Sequence, residues 1–370
     1  MRVLILSSSI GGGHSAVAAA LRELFEAHGD VCDVEDCLSF ISEDVAEAVS
    51  RTHNFIYRHT PKLFDSGYRH TKRHPETFMK HHNGRRVLNL GKKNLGLLIR
   101  QNRYDAAICS HVFGAIMLTD ARRKYGLTIP TALVETDYTV TPGAQACDVD
   151  RHFIPFETLR GDFEAAGMAP EKLVVSGIPV RGMFYEPTDL AASKARLGLD
   201  PGGRHILVMG GSMGAGPVPE LAAELADQLK DGETVSIVCG TNQALEETLL
   251  SAYGDDARFR IMGYTDGVPE LMNAADALVT KPGGITVTEA AVMRLPMILV
   301  NAVAGCEAFN MAFFEKAGGA VTADSPRALA RLSVSIMRDD AWRGEMARAL
   351  SSVAAVNDRE IIWKTMQDIL

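Results

Sequence analysis

The apolar residues of this chain fall in short runs, separated by glycine-rich or polar turns and by longer stretches of helical periodicity. Arg2–Ser7, Tyr104–His111, Thr131–Tyr138, His152–Pro155 and Leu173–Arg181 each carry such a run in the first half. His205–Met209, Thr234–Gly240, Phe259–Met262, Ala277–Thr280 and the run after Pro296 do so in the second. Short apolar runs bounded by turn signals predict buried strands. Helical spacing fills many of the gaps: Ala16–His28, Gly114–Tyr125, and Arg86–Arg100 with Leu88, Leu95, Leu97 and Leu98 on or near one face. Later come Pro217–Lys230, Pro326–Arg338, Ala341–Leu350 and an amphipathic Asn357–Leu370. This alternation predicts an α/β chain with parallel sheets. A chain of 370 residues exceeds one typical core, and composition shifts toward Pro, Asp, Ala and Gly between Glu186 and Gly203. Two domains are therefore expected, 1–187 and 188–370.

Each half opens with the same punctuation. Ser8-Ser9-Ile10-Gly11-Gly12-Gly13-His14-Ser15 follows the first strand, and Gly210-Gly211-Ser212-Met213-Gly214-Ala215-Gly216 follows His205–Met209. In doubly wound sheets ligands gather at the carboxyl ends of strands. Glycines there let main-chain N–H groups meet phosphate oxygens. The first loop lacks the G-x-G-x-x-G spacing of a dinucleotide site, and no ribose-binding acid follows Val31-Cys32-Asp33-Val34.

The densest chemistry lies between Ala274 and Asn310. Pro282-Gly283-Gly284 ends the Ala277–Thr280 strand and lets the backbone approach a ligand closely. Thr286 is expected to cap the helix that follows, with Glu289 in the capping-box position. A helix N-terminus of this kind suits a diphosphate. An ordinary crossover with a capped helix accounts for the same residues.

Lys281-Pro-Gly-Gly-x-Thr-x-x-Glu289-Ala, then Pro296 and Gly305-x-Glu307-x-x-Asn310, resembles the donor half of the GT-B glycosyltransferases. The likeness is to the monogalactosyl- and glucosyl-diacylglycerol synthases, relatives of the enzyme that adds N-acetylglucosamine to the peptidoglycan lipid precursor. Gly11-Gly12-Gly13-His14, Thr136-Asp137-Tyr138 and Gly177-Ile178-Pro179-Val180-Arg181 are similar to the same family. The resemblance implies two Rossmann-like doubly wound domains facing across a cleft. It implies that Glu289 holds the ribose hydroxyls of UDP, and that Met262-Gly263-Tyr264 grips uracil through backbone groups. Pro282, Gly283, Gly284 and Thr286, with Gly12, Gly13, Arg181 and the loop residues Gly211, Ser212, Met213 and Gly214, are implied around the donor. Gly305, Cys306, Glu307 and Asn310 complete the set, with Cys306 standing where the family has a glutamine that contacts the sugar.

Charge adds a second feature. The net charge is -8, yet from Arg51 to Lys93 eleven Lys/Arg face only Asp65 and Glu76, and six of the eleven histidines fall in the same window. Aromatic residues interleave with the cations: Phe55, Tyr57, Arg58, Phe64, Tyr68, Arg69, Lys72 and Arg73. Such a block suits an anionic membrane surface. Nucleic acid is the rival partner and a solvated basic face is the plain reading; given the family, the membrane is preferred and nucleic acid is not expected. No apolar run approaches the ~20 residues needed to span a bilayer. Six cysteines without metal or CxxC spacing fit reduced thiols in the cytoplasm. The protein is expected at the inner face of the cell membrane, peripherally bound.

The function implied is an inverting transfer of a hexose from a UDP-sugar to a lipid acceptor such as diacylglycerol. No cofactor is expected beyond the co-substrate. Asp148-Val149-Asp150 reads as a solvated turn, so metal independence is expected. His14 is the candidate base, since histidine titrates near neutrality. It could instead cap its helix or orient the acceptor. Asp137 is the rival base, the partner that fixes the histidine tautomer, or a turn cap. His111 reads as structural or acceptor-side. Two other readings stand: a UDP-sugar epimerase, and a nucleotide-sugar sensor without transfer activity.

Overall fold

The structure, a computed structural model, describes residues 1–10, 12–59, 66–68, 70–72, 83–186, 189–211, 214, 216–300 and 305–370. The chain divides into two units. Unit 1 comprises Met1–Gly182, Val303–Phe309 and Val356–Leu370, and unit 2 comprises Met183–Ala302 and Asn310–Ala355.

Unit 1 runs β1 (Arg2–Ser7), α1 (Gly12–Ala27), β2 (Val31–Asp36), α2 (Glu43–His59), α3 (Asn83–Asn102), β3 (Ala106–Cys109), α4 (Val112–Tyr125), β4 (Thr131–Val134), β5 (Arg151–Ile154), α5 (Arg160–Ala165) and β6 (Leu173–Val175). Its six-stranded sheet has the order β2-β1-β3-β4-β5-β6, with every pair parallel. β3 and β4 are buried at every position, which is why they read as continuous apolar runs. Helices α3 and α4 lie close because glycine permits it. A Cβ at Gly91 would meet Met117 Cε at 2.7 Å, and one at Gly96 would meet Tyr125 Cδ2 at 2.9 Å. α3 buries Leu88, Leu95 and Ile99, whereas Leu97, expected near the same face, is exposed.

Unit 2 runs α6 (Leu190–Arg196), β7 (Arg204–Met209), α7 (Val218–Gln228), β8 (Glu233–Val238), α8 (Gln243–Tyr253), β9 (Phe259–Met262), α9 (Val268–Ala274), β10 (Ala277–Thr280), α10 (Gly284–Val292), β11 (Met297–Val300), α11 (Glu307–Ala317), β12 (Ala320–Ala323), α12 (Pro326–Arg338) and α13 (Asp340–Val356). The first three residues of α11 belong to unit 1. The six-stranded order is β12-β11-β10-β7-β8-β9, again all parallel. Both sheets are thus Rossmann-like.

The last helix, α14 (Glu360–Asp368), belongs to unit 1. Trp363 stacks on His28 with ring centroids 4.0 Å apart, and its Nε1 donates to Asp30 Oδ2 at 2.9 Å. Buried Asn357 donates from Nδ2 to the Ile178 carbonyl at 2.7 Å. Gly177, at φ +72°, is required beside it, since a Cβ there would stand 2.6 Å from Asn357 Cα.

Unit 2 is anchored by a buried ion pair. Lys194 Nζ lies 2.8 Å from Asp276 Oδ2, with side chains 3% and 1% exposed. The Gly203 carbonyl accepts a second Lys194 bond at 2.7 Å, and the His205 N–H donates to Asp276 Oδ2 at 2.8 Å. Breaking one side of such a pair leaves a buried charge, at roughly 3–5 kcal/mol. Asp276→Ala should therefore lower the denaturant midpoint of unit 2 sharply, while Lys194→Met with Asp276→Leu recovers most of the loss. Equal midpoints for parent and Asp276→Ala in circular-dichroism melts would show that the pair contributes nothing.

Candidate functional site

Strand order decides where each unit can bind a ligand. In unit 1 successive crossovers run outward to opposite sides of the β1/β3 pair, so no crossover covers the carboxyl ends there. α1 begins at Gly12, four residues before the expected Ala16, so Gly12, Gly13 and His14 form its first turn. His14 thereby sits beside the loop that follows β3. Its Nδ1 lies 2.8 Å from the Ser110 carbonyl oxygen and 3.3 Å from Thr136 Oγ1. Ser110 Oγ returns a bond to the His14 carbonyl at 3.0 Å.

These contacts fix a tautomer. A carbonyl only accepts, so Nδ1 carries the proton and the neutral ring keeps its lone pair on Nε2. His111 takes the opposite form. It caps α4, its Nδ1 accepting from the Phe113 N–H at 3.1 Å, and its ring meets that of His14 edge to face at 4.3 Å. The sequence left His111 between a structural and an acceptor role; the cap is present.

The loop after β4 brings Thr136 to His14 and carries half-buried Asp137 next to it. It also holds a residue that sequence reasoning missed. Glu135 is only 2% exposed, and its Oε2 accepts from Thr141 Oγ1 at 2.5 Å. Its Oε1 is buried with no hydrogen-bond partner among the described residues. Burial, reinforced by Asp137, pushes its carboxyl up to about 7, against the Thr141 bond and Lys72. An acid directly after the apolar run Leu133-Val134 was the available signal.

Lys72 corrects one expectation. It was grouped with the membrane-facing cations, but it is half-buried inside unit 1. Its Nζ donates to Thr139 Oγ1 and stands 3.4 Å from the centre of the Phe309 ring. Burial lowers its pKa, with Asp162, Cys306 and Glu135 acting the other way. The ring and the hydroxyl hold a cation that open solvent would otherwise claim. Tyr68 is likewise partly buried, and burial, with the charges of Asp137 and Glu135, raises its pKa. Phe64, Arg69, Arg73, Ser212 and Met213, and the side chains of Phe55, Tyr57 and Arg58, lie outside the described residues. Cys306 is half-buried and Glu307 buried, both in the unit 1 segment Val303–Phe309, with Gly305 at φ +67°. Arg181 is half-buried near the end of the first segment of unit 1.

In unit 2 the crossovers diverge at the β7/β10 pair. Gly211, φ +71°, leads out of β7, and a Cβ there would meet Lys281 Cε at 2.6 Å. The loop that leaves β7 is therefore packed against Lys281, which leads into the Pro282-Gly283-Gly284 turn. α10 starts at Gly284, ahead of Thr286, its expected cap. Its N-cap is Gly283, which has no side chain to occupy the first-turn N–H groups; Thr286 lies inside the first turn, and Glu289 further along is half-buried. The expected capping box is absent because the helix begins three residues early, with Gly283 at the N-cap in place of Thr286. Asn310, fully buried, donates from Nδ2 to the Pro282 carbonyl at 2.9 Å and so braces the Pro-Gly-Gly turn. Gly214, φ +59°, leaves no room for a side chain, with the Cys239 carbonyl 2.4 Å from a notional Cβ. Met262, Gly263 and Tyr264 lie at the end of β9, on the sheet edge, two strands from β7. Tyr264 is 69% exposed, and Gly263 admits Glu246, whose Oε2 would stand 2.6 Å from a Cβ. Asp148 is ion-paired to Lys172 and Arg123, and Asp150 to Arg122.

Residues 14–180 match the family model for monogalactosyldiacylglycerol (MGDG) synthase, and residues 205–338 match the glycosyltransferase family 28 C-terminal domain. The chain belongs with the MGDG synthases and family 28 glycosyltransferases. A processive diacylglycerol beta-glucosyltransferase of Bacillus subtilis (strain 168) is 29% identical over 375 residues, covering 100% of this chain and 94% of the relative. Its counterpart in Bacillus licheniformis is 28% identical, covering 97% and 93%. Among solved structures, MurG of Acinetobacter baumannii aligns with a TM-score of 0.65 at 17% identity, covering 100% of this chain and 99% of that one. A UDP-GlcNAc 2-epimerase from Neisseria meningitidis, solved with UDP-GlcNAc, aligns at 0.63 with 12% identity over 100% of both chains. At these identities the structures establish the fold, GT-B, and nothing finer. Within this glycosyltransferase family, the MGDG synthase match begins at His14 itself and includes Glu135.

The raised Glu135 carboxyl makes a pH prediction. Between its ordinary 4.5 and about 7 the folded chain keeps a proton that the unfolded chain releases. Stability must therefore fall as pH rises through that window. Glu135→Gln removes this loss, so its melting temperature should gain on the parent from pH 4.5 to 7 and stay level above. A difference independent of pH would show that the carboxyl titrates normally.

Proposed function

We propose that the chain is an inverting hexosyltransferase that moves a sugar from a UDP-sugar to the hydroxyl of a membrane lipid such as diacylglycerol. One observation carries the reading: two transferase family matches in tandem, one over each unit, the first taking in His14 and the loop after β3, the second both loops at the β7/β10 pair. The epimerase reading draws nothing from either match, since epimerases share only the fold here.

In this reading His14 Nε2 takes the acceptor hydroxyl's proton as the acceptor oxygen bonds to the anomeric carbon. The bond from that carbon to the diphosphate breaks, and UDP leaves with the electron pair, so configuration inverts. The Ser110 carbonyl and Thr136 Oγ1 at Nδ1 hold the ring's orientation and favour the imidazolium that forms. Asp137, one residue beyond Thr136, is the rival base. In unit 2 the first-turn N–H groups of α10 and the Gly210–Gly216 loop, with Lys281 alongside, receive the diphosphate. Glu289 takes the ribose hydroxyls. Positive charge from these groups and from Arg181 makes a metal unnecessary, and Asp148 and Asp150 are already engaged by cations. Among the described residues no helix is long and apolar enough to cross a membrane. The protein reaches its lipid by peripheral binding, through the Arg51–Lys93 block.

Three outcomes test this. With diacylglycerol and a panel of UDP-glucose, UDP-galactose and UDP-N-acetylglucosamine, one donor should be turned over at a rate unchanged by EDTA; nucleotide binding without turnover would favour the sensor. His14→Ala should lower kcat by about 10²–10⁴ with UDP affinity nearly intact. A loss confined to UDP affinity would make His14 a phosphate ligand. For Glu289→Ala, calorimetric titration with UDP should show affinity down at least tenfold, each bond to the carboxylate being worth roughly 1.5–3 kcal/mol. Unchanged affinity removes Glu289 from the site.

A further inference from the structure

The loop that orients His14 is closed on its own first residue. Glu135 directly follows β4, and its N–H still bonds across the sheet, to the Phe153 carbonyl at 3.0 Å. Further along the loop, Thr141 Oγ1 donates back to Glu135 Oε2 at 2.5 Å. The stretch between them carries Thr136 to His14 Nδ1, with Asp137 next in line. A second clasp comes from outside the loop. Lys72 Nζ donates to Thr139 Oγ1 while it rests on the Phe309 ring. Thr136, Thr139 and Thr141 thus tie one short loop to the opening of α1, to a lysine and to a carboxyl.

Packing alone does not call for a carboxyl here. Glu135 is 2% exposed, and its Oε1 is buried with no hydrogen-bond partner among the described residues. A glutamine would fill the same space and still accept from Thr141. What the carboxyl adds is a charge. Ionised, it accepts a charge-assisted bond from Thr141 and attracts the Lys72 ammonium, so the loop is gripped more firmly from both sides. Protonated, it holds Thr141 by a neutral bond, and Lys72 is left to Thr139 and the ring.

We propose that Glu135 is a positioning residue for the transfer: its carboxylate closes the loop over residues 136–141, and the closed loop keeps Thr136 on His14. Deep burial rules out direct contact between Glu135 and substrate, so it acts through the loop. This role presupposes His14 as the base of the proposed transfer; the clasp itself does not. The carboxyl changes charge in a useful range, since burial, reinforced by Asp137, holds it up at about 7 against Thr141 and Lys72. Tyr68 and Cys147 also feel its charge, and burial raises both, so they stay neutral through that range. The ionisation that lowers stability as pH rises is therefore the one that tightens the loop.

The test follows kcat of the full chain on dispersed diacylglycerol across the titration at about 7. Glu135→Gln should match the parent on the acid side and fall about fivefold below it on the alkaline side, because charge-assisted bonds are roughly twice as strong as neutral ones. UDP affinity and the acceptor KM should stay within about twofold, since only the orientation of the base is lost. Thr141→Val, which leaves the carboxyl in place and removes its clasp, should lose the same alkaline rise. Lys72→Met should move the rise to higher pH, the cation no longer favouring the carboxylate. A second readout needs no substrate. The His14 imidazole resonances, assigned by their loss in His14→Gln, should shift in the parent as Glu135 titrates and lose that step in Glu135→Gln. A Glu135→Gln rate profile superimposable on the parent's, or His14 resonances indifferent to the substitution, overturns the proposal. So does a loss confined to acceptor KM, which would make Glu135 part of acceptor binding. His14 resonances that follow Glu135 in a chain that turns over no donor would sink the transfer reading and leave the clasp standing. Turnover with a profile independent of Glu135 would do the reverse.

Discussion

A parallel strand can be joined to its neighbour only by a crossover, and each crossover covers part of the sheet. Where successive crossovers leave on opposite sides, the carboxyl ends of two adjacent strands stay uncovered. That constraint operates twice in this chain, at β1/β3 and at β7/β10. The groups at the opening of α1, in the loop after β3, in the loop after β7 and at the start of α10 depend on it. At the first pair it brings the opening of α1 within reach of the Ser110 carbonyl, and so selects the tautomer of His14. At the second it lays the Gly211 loop against Lys281 and leaves the start of α10 capped by a residue with no side chain.

Much of this was legible because the signals were local. Buried parallel strands must be apolar at consecutive positions, and β1, β3, β4, β7, β10 and β11 announced themselves in that way. Glycine loops are visible for a related reason: Gly211 and Gly214 hold backbone conformations that a side chain would strain, and neighbours already occupy the space. The helix start after Pro282 was misplaced because Thr286 and Glu289 offer a cap by spacing alone. The chain instead enters the helix at the glycines, where the backbone is freest. Nothing within a few residues of Thr286 could have revealed this.

What the sequence hid depends on partners far along the chain. Lys72 looks like its neighbours in a basic block, and its inward turn requires Thr139 and Phe309. Glu135 looks like the polar end of a strand, and its unusual carboxyl requires the walls that bury it and Asp137 beside it. Leu97 satisfies helical spacing about as well as Leu95 does, but the glycine contacts of α3 with α4 fix the rotation that leaves it outside. Periodicity can show that a helix has two faces. Which residues at the margin fall on which face is settled by the packing partner.

The placement of α14 bears on how the molecule is made. Unit 2 is one long excursion from unit 1, interrupted only where Val303–Phe309 returns to it, and unit 1 recovers its final pieces at Val356. The platform that Trp363 forms on His28 and Asp30, and the clasp between Asn357 and the Ile178 carbonyl, join positions more than 170 residues apart. During synthesis the amino-terminal sheet therefore emerges before that of unit 2, and its unit is completed after unit 2. Until α14 leaves the ribosome, the surface around His28, Asp30 and Gly177 waits uncovered, while the strands of unit 2 already have all their neighbours. A nascent chain stalled short of its last helix would present a finished carboxyl-terminal sheet and an unsealed amino-terminal one, the state that chaperones recognise.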